Sequence, residues 1–252
     1  MKKYGLLALG LSFVFFASCL VAVVDEQNVE GLPLSREFHK VLTQEPGGTV
    51  DLENWNGDIT ISGWEKSEVD ITAREVWNQP QKRGIRFYGI GRVRPDIQVD
   101  QSEDKIKIWT EQPGEEKDSI GLNYNLFVPH SINLKTIINR RGNARISDLY
   151  GTVVLNLDEG EANLENYSGS LDASVTRGSV EAEILDLRAE DAVKITVREG
   201  DITLYLQPGA GARIEATAPN GTLDSDFDLK ADQGARVTLT ALNGNIRIKK
   251  AD

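Results

Sequence analysis

The residue types that most often carry chemistry are scarce in this chain. Among 252 residues there is one cysteine, Cys19, and there are two histidines, His39 and His130. A lone thiol rules out a disulfide framework and any zinc or iron–sulfur site built from several thiolates. His39 precedes the first strand beside Lys40, and His130 follows Pro129 in a turn. Neither has a partner at the spacing of a metal or nucleophilic motif, so both read as exposed or capping side chains. The serines form no Gly-x-Ser-x-Gly elbow. Gly89-Ile90-Gly91 lacks the third glycine, the lysine and the helix of a phosphate-cradling loop. Asp224, Asp226 and Asp228 alternate with Leu223, Ser225 and Phe227, which on a strand places three carboxylates on one outward face. Such a row could hold a divalent cation weakly through oxygen ligands. In a chain with 39 acidic residues it reads first as a solvated face, as do Glu159 and Glu161 on either side of Gly160. No catalytic residues, no metal ligands and no cofactor are expected from these residues.

Charge narrows the partners. Acids outnumber bases 39 to 28, a formal net charge of −11, which makes nucleic acid a poor partner. One segment runs against that background. Lys82, Arg83, Arg86, Arg92 and Arg94 lie between Val76 and Pro95 with no acid among them, interleaved with Ile85, Phe87 and Tyr88. They form a candidate anion-binding patch for acidic glycan or lipid headgroups beside a membrane. The alternative is a long hairpin whose arginines cover the acidic body of the protein.

The N-terminus is an address. Lys2 and Lys3 precede an uncharged apolar stretch from Tyr4 to Val24, which Asp25-Glu26 closes. That is the form of a secretory signal, and it is also long enough to remain as a membrane anchor. Phe16-Ala17-Ser18-Cys19 resembles the bacterial lipoprotein signal, in which the cysteine is lipidated and becomes the new N-terminus. Lipidation of Cys19 is the preferred reading, with cleavage near Ala22 and a retained anchor as alternatives. All three export the chain to the bacterial cell envelope.

The elements behind these residues are β-strands. Helical periodicity is almost absent after residue 30, and period-two alternation replaces it. Gly142, Gly151, Gly160, Gly169 and Gly178 recur at nine-residue intervals; Gly48 and Gly57 share that interval, and Gly200, Gly221 and Gly244 continue with wider steps. The second and fourth residues after each of these glycines are apolar, as in Ile59 and Ile61 or Val153 and Leu155, with Ser225 the one exception. The first and third are polar except for Val154. Each segment therefore reads as a strand with one buried face in constant register to its glycine. Several inward positions are only Ala, which suits a narrow interior. An antiparallel meander would use Asn56-Gly57, Asn220-Gly221 and Asn243-Gly244 as hairpin turns. The other glycines follow poorer hairpin residues, and the constant phase favours stacked coils. The fold class expected is all-β, a single-stranded β-helix-like β-solenoid with short parallel strands and glycine at the coil corners. Asn243–Lys250 reads as a last strand whose charged end blunts an exposed edge.

This pattern resembles the bacterial putative-adhesin β-strand-repeat family, exported domains of unknown molecular function. The likeness rests on Gly57-Asp58-Ile59-Thr60-Ile61, on Gly244-Asn245-Ile246-Arg247-Ile248, and on Leu126-Phe127-Val128-Pro129 followed by Leu134. It spans about residues 45–250 and implies a solenoid-like fold in a cell-envelope setting, with no catalytic residues to transfer. The organisation expected is a signal or anchor over 1–24, a tether over 25–39 and one β-repeat domain over 40–250. Within that domain, 40–135 form irregular first layers and 136–250 regular repeats. The expected function is a non-enzymatic envelope protein whose solenoid surface serves adhesion or protein interaction. Its partners would be the membrane and a surface glycan or envelope protein. The alternative is a carbohydrate-active β-helix enzyme, a polysaccharide lyase or hydrolase.

Overall fold

Alternating apolar residues can bury one face of a strand only against a second sheet, and that is how the chain resolves its pattern. The computed structural model describes residues 36–76, 95–111, 121–229 and 233–251. Cys19 and the Lys82–Arg94 segment lie outside them. The described residues are all-β. The first strands are β1 (Glu37–Thr43), β2 (Thr49–Asn56), β3 (Ile59–Trp64), β4 (Glu68–Val76), β5 (Asp96–Gln101), β6 (Lys105–Glu111) and β7 (Gly121–Pro129). The regular run follows as β8 (Asn133–Arg141), β9 (Ala144–Ser147), β10 (Val153–Glu159), β11 (Ala162–Ser168), β12 (Leu171–Arg177), β13 (Val180–Asp186), β14 (Ala192–Glu199) and β15 (Ile202–Leu206). The last strands are β16 (Ala212–Thr217), β17 (Leu223–Ser225), β18 (Ala235–Asn243) and β19 (Ile246–Lys250).

Successive strands from β8 onward alternate between a ten-stranded and a nine-stranded sheet, so each coil contributes one strand to each. Neighbouring coils pair in parallel: Val153 opposes Leu171, which opposes Val193, while Ala162 opposes Val180, which opposes Ile202. The core is the narrow space between the sheets. Of the residues placed second and fourth after each glycine, all are buried except those of β17, where Leu223 is 41% exposed. Three antiparallel pairings, β1 with β4, β4 with β7 and β5 with β6, close the N-terminal end.

The corner glycines explain the constant phase. At each of Gly142, Gly160, Gly178, Gly200, Gly244 and Gly221, an added Cβ would overlap the carbonyl oxygen of the corner glycine one coil away. These residues form one column, with Gly57 at its start. Polar side chains at several of these corners cap the next coil. Asn123 Oδ1 accepts from the Asp58 N–H, Asp58 Oδ1 from Asn143, and Asn143 Oδ1 from Glu161. Asp201 Oδ1 accepts from Asn245, and Asn245 Oδ1 from Thr222. Backbone donors that turn away from the ladders are thereby satisfied.

Space and sequence diverge at both ends. From one end to the other, the coils run β6–β7, β2–β3, β8–β9, β10–β11, β12–β13, β14–β15, β18–β19 and β16–β17. The expectation of an exposed C-terminal edge is therefore corrected, because β19 lies between β15 and β17. The end position falls to β16–β17, whose inward residues include Ser225.

Candidate functional site

The outward faces carry the distinctive groups. The described tryptophans, Trp55, Trp64 and Trp109, all sit on the solvent side of their strands and are half-buried there. The core between the sheets is lined mostly by Ala, Val, Leu and Ile, with Tyr124 and Tyr167 as buried aromatics.

On the ten-stranded sheet, Trp64 stacks on Phe127 with centroids 5.4 Å apart and planes 23° apart. Lys66 Nζ lies 4.3 Å from the centre of the Trp64 ring, and the indole N–H donates to the Glu68 carbonyl at 2.9 Å. His130 stacks on Tyr150 at 5.2 Å, while its Nδ1 lies 2.7 Å from the Asp148 carbonyl. A carbonyl only accepts, so Nδ1 carries the proton, and Nε2 faces the Glu65 carboxylate at 3.4 Å. His130 is thus a capping residue, as read from its turn. His39 is exposed, and its Nε2 contacts Asp70 at 2.8 Å, a pairing that sequence spacing does not reveal. In register across this face run Val41, Asp70, Phe127, Ser62 and Ser147, with the Ser147 hydroxyl donating to Ser62 at 3.2 Å. Phe127 and Tyr150 are 39% and 55% exposed, unusually open for aromatic side chains.

On the nine-stranded sheet, the Arg140 guanidinium lies 4.0 Å from the centre of the Trp55 ring. Lys107 Nζ lies 5.1 Å from that of Trp109. Glu53 opposes Trp109 across the ladder. Both sheets therefore offer aromatic faces edged by charge on the first coils, an arrangement suited to stacking and cation contacts.

The carboxylate row is not assembled as the sequence suggested. β17 ends at Ser225, and the Ser225 hydroxyl oxygen accepts from the Phe227 N–H, bending the chain. Asp224 and Asp226 meet Lys249 at 2.7 and 3.7 Å. That ammonium holds the Asp224 carboxyl below its ordinary range. Asp201 is lowered by the Asn245 N–H and by Arg247. Glu159 bridges Arg141 and Arg177 of the flanking coils, a structural ladder of charges. Among the described residues, no group of three or more His, Cys, Asp or Glu is placed to hold a metal ion. Cys19, where lipidation is expected, and the candidate patch of Lys82, Arg83, Arg86, Arg92 and Arg94 fall outside the described residues.

Two sheets wound from glycine-cornered coils define a β-solenoid. Residues 136–250 match the family model described as Toastrack DUF4097. The chain is similar to a solved "putative cell adhesion protein" from Clostridium sporogenes, with 17% identity over 84% of this chain and 99% of that one. The TM-score of that match, 0.51, shows a shared fold. Two solved structures, each a "putative adhesin", also align. The one from Bacteroides fragilis has 12% identity over 85% of this chain and 97% of that one, with a TM-score of 0.38. The one from Parabacteroides merdae has 8% identity over 86% and 96%, with a TM-score of 0.30. No curated protein matches. The resemblance to an adhesin-like family of unknown molecular function, drawn from the glycine repeats, is borne out.

Proposed function

We propose that this chain is a non-enzymatic envelope protein, exported and held at the membrane through lipid on Cys19, whose solenoid faces serve adhesion or protein interaction. The observation that carries this reading is the outward placement of Trp64 and Phe127 on one sheet, with Tyr150 exposed in the connection after β9, and of Trp55 and Trp109 on the other. Exposed aromatic groups with a polar surround are characteristic of surfaces that take a partner. The name of the Clostridium sporogenes protein points the same way. The described residues nearest to Cys19 and to the basic segment support this reading by their place in the fold. Arg36 exchanges hydrogen bonds with Glu75 at the close of β4, and β5 begins directly after Pro95. Arg36, Val76 and Pro95, the described residues nearest in sequence to Cys19 and to the Lys82–Arg94 segment, therefore belong to the N-terminal layers. A membrane-held protein would present that segment toward anionic headgroups.

A screen of the soluble 25–252 fragment against acidic and neutral polysaccharides and envelope extracts tests the reading. Capture without new reducing or unsaturated ends is the expected result. Turnover of any polysaccharide would replace it with the enzymatic alternative.

A further inference from the structure

Three Asn-Gly pairs mark corners of the solenoid, and the fold treats them differently. Asn56 is 6% exposed, and the Gly57 N–H after it is tied to the Arg141 carbonyl at 2.8 Å. Asn243 ends β18 in extended conformation opposite Glu199, and its carbonyl accepts from the Gly200 N–H at 3.0 Å. Asn220 is exposed like Asn243, but it stands apart in lying in a turn outside any strand. The Gly221 N–H after it reaches the Ala218 carbonyl only at 3.3 Å.

We propose that the Asn220–Gly221 turn is a site of spontaneous deamidation that releases the β16–β17 coil from the end of the solenoid. The Gly221 backbone nitrogen, giving its proton to solvent, attacks the Asn220 side-chain carbonyl carbon. The bond from that carbon to Nδ2 breaks and ammonia leaves, closing a five-membered succinimide. Water then opens the ring at either carbonyl to give aspartate or isoaspartate. Water is the one co-reactant, and nothing is oxidised or reduced. A following glycine puts no side chain in the path of the attacking nitrogen, and a turn lets the two atoms approach where a paired strand holds them apart.

The consequence follows from the bonds that the amide makes. Asn220 Nδ2 donates to the Leu242 carbonyl at 3.0 Å and to Asn243 Oδ1 at 3.1 Å. A carboxylate has no proton to give, so the reaction sets a negative oxygen against two acceptors. Those two bonds fasten the turn of the end coil to β18. Among the described residues, β16 pairs only with β18 and β17 only with β19, so no described strand lies on the far side of the coil.

The folded full-length protein, aged in mildly alkaline buffer, is sampled by peptide mapping with enzymatic methylation of isoaspartate. Modification is expected at Asn220 well before Asn243 or Asn56, and at all three once the chain is denatured. Equal rates at Asn220 and Asn243 in the folded protein, or an unmodified Asn220, would overturn the chemistry. Asn220→Asp then isolates the outcome. Amide exchange protection should be lost across 212–225 and kept across 153–184, while Asn220→Gln, which disfavours ring closure and keeps an amide donor, should retain both. Full protection of 212–225 in Asn220→Asp would overturn the release.

Discussion

Single side chains set how the solenoid responds to charge and pH. Ile146 and Leu155 are fully buried, whereas Thr152 is exposed between them in sequence. An unpaired carboxylate in the core costs several kcal/mol, so Ile146→Asp or Leu155→Asp should unfold the protein in thermal melts. Thr152→Asp should melt close to wild type. Tyr124 offers a second reading of burial. Its hydroxyl meets Thr110 Oγ1 at 2.8 Å inside the core, and burial pushes its pKa up to about 12 from 10.0. A phenol that resists ionisation in the native state gives stability that is complete below the unfolded value and lost as pH rises through the folded one. Denaturant titrations should therefore show stability falling between pH 10 and about 12, by about 1.4 kcal/mol per unit for this group. Tyr124→Phe should remove its share of that slope, and the remainder belongs in part to Tyr167, raised by burial and by Asp191.

At the scale of strands and corners, the glycine column decides the geometry. Gly160 has φ +143°, and a Cβ there would run into the Gly142 carbonyl. Gly160→Ala should lower stability by about 1–3 kcal/mol through backbone strain alone, more once the overlap forces the coils apart. Melting of Gly160→Ala beside Gly209→Ala separates these effects, since Gly209 also has positive φ yet meets nothing within 4 Å. Much of this level is legible in the sequence, because period-two alternation locked to a glycine fixes both the buried face and the corner. The inward pairs at Ile59 and Ile61 or Ile246 and Ile248 follow from that lock. The exchange of terminal coils does not, because parallel coils of equal phase fit any neighbour equally well. The deciding trait is quality of the inward face: Ile246 and Ile248 suit an interior coil, while Ser225 and a three-residue strand are tolerated only at an end. The aromatic surface is illegible for a related reason. Trp64 meets Phe127 only through the pairing of β3 with β7, two strands far apart in sequence.

The whole molecule raises questions of address and order. Labelling with a palmitate analogue should mark the wild type and spare Cys19→Ala if lipid holds the protein to its membrane. If the Lys82–Arg94 segment binds anionic surfaces, replacing Arg83, Arg86, Arg92 and Arg94 with Ser should abolish binding to anionic vesicles and leave melting nearly unchanged. Raising the salt to 1 M, where the Debye length is about 3 Å, should weaken the wild type in the same way. A large loss of stability on substitution would instead assign these arginines the structural role of covering the acidic body. The displaced end coil has a different consequence, one of timing. Synthesis from the N-terminus supplies β16–β17 before β18–β19, the strands that coil must rest on. Growth by adding each new coil to the last therefore stalls one layer short. Until residues 235–250 are available, β14–β15 keeps bare edges and β16–β17 has nowhere to dock, so that stretch works as a keystone for folding that starts from the N-terminal coils.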